Sequence, residues 1–148
     1  CLRMLNQQLT KETNTRYVSL FCACIYPRQK TLRYASAGHE PPVFWDAKKK
    51  ECQLLSADGL LLGALEDSTY EEKMMQYSPE SVMVLYTDGI TEARNAQGEF
   101  FGTERIVDSV EKNASATPQK LVDTLYNRVR KFARDQTSDD LSLLAVRL

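Results

Sequence analysis

Residues 81–87 (SVMVLYT) constrain this chain more than any other stretch. They run Val-Met-Val-Leu-Tyr without a polar break and lie between two turn signals, Ser78-Pro79-Glu80 and Asp88-Gly89. A short, continuous run of β-formers bounded by turn residues reads as a strand buried on both faces. Residues 17–25 (YVSLFCACI) carry the same pattern and predict a second central strand covered on both sides. Proline and polar residues at 27–30 then punctuate the chain, and 31–37 (TLRYASA) follows as a strand. The short connection favours an antiparallel hairpin.

The remaining elements follow from spacing. Leu2, Leu5 and Leu9 share one helical face, so 1–11 reads as the tail of a helix. Residues 43–45 and 51–55 read as strands around a charged turn at 46–50 (DAKKK), whose lysines form a solvated loop. Residues 56–68 are irregular, with Gly59 and Gly63 at turn positions, and 69–77 predict an exposed strand. Helices come late. Thr103 is placed to cap one that runs to about Lys112, with Ile106, Val107 and Val110 inward. Thr117-Pro118 opens another, with an apolar stripe at Leu121, Val122, Leu125, Val129 and Phe132. Arg128, Arg130, Lys131 and Arg134 read as a solvated basic face near its end. Residues 141–146 (LSLLAV) are a final strand. Grouped strands with late helices predict an α+β fold, with sheets covered by helices, in a single domain over 1–148.

Composition narrows the function. At 148 residues, folding buries roughly two-thirds of the unfolded surface, enough for a core without staples. Nineteen basic and twenty acidic residues leave a net charge of −1. That argues against charge-driven binding to nucleic acid or anionic lipid. No apolar run approaches the ~20 residues of a membrane span, and no signal-peptide pattern is present. The opening residues, CLRMLNQQL, read as the middle of a helix, so the chain is expected to be part of a longer cytoplasmic protein. Cys1, Cys22, Cys24 and Cys52 form no C-x-x-C pair and are expected to be reduced, packed thiols.

A single histidine, His39, excludes multi-histidine zinc sites. It lies in a turn after a strand, with no nucleophile elbow in the sequence, and is expected to bond to nearby backbone. The carboxylates are more informative. Asp88 ends the most apolar strand, and Gly89 is placed to let the backbone turn sharply. Asp139 and Asp140 directly precede the final strand. If those two strands pair antiparallel, Asp88 and Asp139 come side by side. Close carboxylates repel unless a proton or cation lies between them, and hard divalent cations want oxygen ligands. The same residue pairs also occur as ordinary turn residues.

Four motifs occur in order: Ser36-Ala37-Gly38-His39-Glu40-Pro41-Pro42, Leu62-Gly63, Leu85-Tyr86-Thr87-Asp88-Gly89-Ile90-Thr91-Glu92-Ala93 and Ser138-Asp139-Asp140-Leu141-Ser142. Together they resemble the SpoIIE/RsbU-type branch of the metal-dependent (PPM, type 2C) serine/threonine protein phosphatases. The resemblance implies two packed antiparallel sheets flanked by helices, an αββα sandwich. It implies hydrolysis of phosphoserine or phosphothreonine with Mn²⁺ or Mg²⁺, two ions in the complete domain. It also implies a small STAS-type anti-anti-sigma protein as substrate, and a sensor or regulatory domain upstream. By position, Asp88 and Asp139 resemble the family's metal ligands, whereas Asp140 stands beside them without being counted as one. The family's earlier Gly-Asp segment has no match in these residues, so the resemblance implies the later two-thirds of the domain. Such a piece is expected to be weakly active or inactive alone, and to self-associate through exposed apolar surface. The competing reading is a phosphatase-like domain that binds a regulatory partner without catalysis.

Overall fold

The computed structural model describes residues 1–12, 17–134 and 140–148. They form two compact units, Cys1–Pro41 with Ser56–Tyr77, and Pro42–Leu55 with Ser78–Leu148. Each holds an antiparallel sheet with helix beside it.

In the first unit, α1 (Leu2–Glu12) precedes β1 (Leu20–Tyr26), β2 (Thr31–Ala37) and β5 (Glu72–Gln76). The sheet order is β1-β2-β5, and the predicted hairpin pairs Leu20 with Ala37 and Tyr26 with Thr31. The leucine face of α1 lies on this sheet: Leu2, Leu5 and Leu9 pack with Leu20, Cys22, Ala35, Ala37 and Leu62. The expectation of a central strand at 17–25 does not hold among the described residues. β1 is an edge strand, and its second half, from Cys24 to Tyr26, is exposed. An unbroken apolar run fits an open edge as well as a covered centre, because periodicity reports side chains and not the neighbours of the backbone. Cys1 and Cys24 are also exposed, so the four free thiols are not all packed.

In the second unit, β3 (Val43–Asp46), β4 (Glu51–Leu54), β6 (Val82–Tyr86) and β7 (Leu143–Arg147) pair in the order β4-β3-β6-β7. β6 lies inside the sheet and is the most buried strand, as its sequence predicts. Val82, Val84 and Tyr86 share a face with Val43. That face packs against Phe101, Ile106 and Val110 of the α3 (Gly102–Asn113) region and Leu121, Leu125 and Val129 of α4 (Pro118–Phe132). Met83 and Phe44, on the alternate face, are buried too. The turn at 46–50 is set by Asp46, whose Oδ1 accepts from the backbone of Lys48 (2.8 Å) and Lys49 (3.1 Å).

The helix ends differ from one another. Thr117 caps α4 as expected, accepting from Lys120 N at 3.3 Å. Thr103 caps nothing: α3 begins one residue earlier, and its N-cap position is Phe101. Phe101 is fully buried, so packing fixes this end in place of a side-chain oxygen. Arg128 is not part of a solvated face. Its guanidinium donates to Asp108 Oδ2 (2.7 Å), Ser109 Oγ (2.7 Å) and the Arg105 carbonyl (3.2 Å), tying α4 to α3.

Lys112 and Arg128 hold the Asp108 carboxyl below the usual carboxylate range. A depressed pKa stabilises the fold above the unfolded value, about 3.9, and that contribution is lost as pH falls through the folded value. Asp108→Asn should therefore lower stability at neutral pH, with the difference from wild type closing below about pH 3.9 in acid titrations of the unfolding transition. A pH-independent difference would contradict this.

Candidate active site at the end of β6

β6 ends at Tyr86, and Thr87 continues extended with φ −94° and ψ 163°. The chain then closes into a single helical turn, α2 (Asp88–Thr91). The sequence predicts a turn at Asp88-Gly89 but not its helical form. Gly89 is buried within it and is not among the glycines with positive φ, so the sharp change of direction comes from α2 and not from a left-handed glycine. Ile90 N donates to the Thr87 carbonyl (3.0 Å), and Glu92 N to the Asp88 carbonyl (2.8 Å). Ile90 is fully buried and anchors the turn in the core beneath β6.

Asp88 stands at the first position of this turn, with its side chain exposed. Its Oδ1 accepts from the Gly89 backbone N–H at 2.9 Å, which fixes the carboxylate against a rigid strand end. The condition set by the sequence, antiparallel pairing of the two strands, is met. β6 and β7 pair with Tyr86 opposite Leu143 and Val84 opposite Ala145. The pairing extends past the strand ends, since Thr87 N donates to the Ser142 carbonyl (3.2 Å) and Ser142 N to Thr87 Oγ1 (3.2 Å). Thr87 Oγ1 in turn donates to the Asp140 carbonyl at 3.3 Å. Asp140 therefore enters β7 alongside the residue that precedes Asp88. Asp139 lies outside the described residues.

The other motifs have structural work within the first unit. His39 N donates to Ser36 Oγ (3.2 Å), and the ring Nδ1 lies 3.1 Å from Ser19 Oγ, a side-chain partner and not the nearby backbone expected for it. Gly38 has φ +64°, and a Cβ there would lie 2.8 Å from Leu61 Cδ2, so only glycine suits this corner. Leu62 is buried and bridges Val18. The Gly63 N–H donates to Asn6 Oδ1 at 2.8 Å. Asn6, which sequence reasoning passed over, is fully buried on α1 and also donates to the carbonyls of Leu65 (2.8 Å) and Glu66 (3.0 Å). The available signal was its spacing, four residues after Leu2 and three before Leu9, which puts it on the leucine face of the helix.

This pair of antiparallel sheets with flanking helices is the fold of PP2C domains. The structure matches the SiaA-PP2C domain of Pseudomonas aeruginosa with a TM-score of 0.87 at 18% identity, covering 99% of this chain and 59% of that one. It matches the Mn-presoaked phosphatase domain of SpoIIE from Bacillus subtilis with a TM-score of 0.76 at 19% identity, covering 99% and 63%. The family profile Stage II sporulation protein E (SpoIIE) matches residues 1–148, and the chain belongs to that family. In sequence it is 28% identical over 147 residues to phosphoserine phosphatase RsbU of Bacillus subtilis (strain 168), covering 99% of this chain and 44% of RsbU. The chain thus spans less than half the length of that relative.

Divalent Mn²⁺ or Mg²⁺ is the cofactor the resemblance implies. Among the described residues, no three His, Cys, Asp or Glu side chains converge to hold a metal. Asp88 fits such an ion in kind, as an exposed hard oxygen donor on a rigid strand end.

The Asn6 network carries its own expectation. Asn6→Leu keeps the branched shape of the side chain and strands one donor and two acceptors, so urea unfolding should show a loss of about 2 to 4 kcal/mol. A change under about 0.5 kcal/mol would show that the network is dispensable.

Proposed function

We propose that this chain carries the metal-dependent hydrolysis of phosphoserine or phosphothreonine on a partner protein in bacterial signalling. The observation that supports it is the clasp between the Thr87-Asp88-Gly89 end of β6 and the Asp140–Ser142 entry of β7, in a chain of the SpoIIE family. The substrate proposed is a STAS-type anti-anti-sigma regulator in the cytoplasm, met under the control of a sensor or regulatory domain. Among the described residues, no helix is long and apolar enough to cross a membrane, which is compatible with that setting.

Asp88 and Asp139 are the proposed ligands for Mn²⁺ or Mg²⁺. Two such ions, once bound, supply a water of lowered pKa and neutralise charge on the phosphate. The protein's part is to hold its carboxylates still. Asp88 suits this because Gly89 N–H pins one oxygen and the buried Gly89 and Ile90 immobilise the backbone behind it. The family's earlier Gly-Asp segment has no match in residues 1–148, so this chain alone is proposed to be weakly active or inactive.

The test is Mn²⁺-dependent phosphate release from a phosphoserine protein by the full-length protein beside its Asp88→Asn variant. Turnover that requires Mn²⁺ and falls by about 100-fold or more in the variant is expected. No turnover from folded full-length protein, on STAS-type substrates and an aryl phosphate alike, would favour a domain that binds its partner without catalysis.

A further inference from the structure

The run 59–65 (GLLLGAL) buries only one of its four leucines. Leu62 is 2% exposed, whereas Leu60 is 53%, Leu61 36% and Leu65 61% exposed. Their backbone is nevertheless tied down. Asn6 holds Gly63 N and the carbonyls of Leu65 and Glu66, and Leu62 exchanges two backbone bonds with Val18. Glu71 N donates to the Asp58 carbonyl at 2.8 Å. Leucines displayed on a fixed backbone have little further freedom to lose when a partner covers them.

Leu60 and Leu65 line an open groove of about 750 Å³. Asp58, Asp67 and Glu71 also line it, and no lysine or arginine does. Glu71 pairs with Lys73 at 3.3 Å, but among the described residues Asp58 and Asp67 have no ion pair. The charge is local. Between Lys50 and Lys73 the sequence holds six carboxylates and no basic residue, in a chain whose net charge is −1. Exposed apolar surface rimmed by polar groups marks an interaction site, and here the charge selects the occupant. A second copy seated face to face would set this acidic rim against itself. An anionic lipid surface would be repelled. A basic protein segment with apolar side chains complements both the carboxylates and the leucines.

We infer that this groove docks a partner protein through a segment whose apolar side chains are flanked by lysine or arginine. The inference stands apart from the metal reading of Asp88, since every residue it uses lies in the first unit.

The experiment measures fluorescence anisotropy of a short labelled leucine–lysine peptide titrated with full-length protein. Control peptides carry glutamate for lysine, or serine for leucine. Wild type should bind the leucine–lysine peptide at least about tenfold more tightly than either control. Leu60→Ser with Leu65→Ser, and separately Asp58→Lys with Asp67→Lys, should each weaken binding by about tenfold or more while melting as wild type does. The inference is overturned if wild type does not bind the peptide, if a control binds equally well, or if both folded variants bind as wild type does. Two further results overturn the choice of occupant. One is a dimer by light scattering that the leucine variant dissociates, which assigns the groove to a second copy. The other is binding to phosphatidylcholine–phosphatidylserine vesicles that the leucine variant loses, which assigns it to lipid.

Discussion

The antiparallel pairing of β6 with β7 is the constraint on which the candidate site depends. The two strands are far apart in sequence, and only their register brings the end of one to the start of the other. With Tyr86 opposite Leu143, Thr87 meets Ser142 and Asp140 enters beside them. A one-residue slip would send Val82, Val84 and Tyr86 away from α3 and α4, so the apolar core enforces the register. The polar end of the strand pair is therefore placed by the hydrophobic effect acting on its apolar part.

This arrangement explains how an exposed carboxylate can be held still. Asp88 has no ion pair among the described residues and relies on backbone: one N–H on its oxygen, a helical turn beneath it, and Ile90 in the core. Exposure keeps the oxygen available, and the buried neighbours supply the rigidity. Charge pairing is used instead where helices must be joined, as between Arg128 and Asp108.

Much of this was legible in the sequence, and the parts that were not have physical reasons. β6 was plain because five consecutive apolar β-formers between turns allow little else. α4 was plain because threonine, proline and an apolar stripe agree. Asp88 was flagged as the residue that ends the buried strand, and the family motif strengthened it. α2 was missed because a single turn is too short to show a period. β1 was read as central because seven uncharged residues look alike at an edge and in the middle of a sheet. Arg128 was assigned to solvent because its partners, Asp108 and Ser109, lie 20 and 19 residues away. Asn6 was passed over because its three partners all lie 57 residues or more along the chain. Apart from α2, the missing information in each case was tertiary.

The central claim is that Asp88 holds the metal. The most direct measurement is the anomalous X-ray signal of Mn²⁺ in crystals of the full-length protein. The account predicts a manganese ion with an Asp88 carboxylate oxygen in its coordination sphere, at about 2.0 to 2.3 Å. A bound manganese ion that supports turnover while Asp88 stays outside its coordination sphere would contradict it.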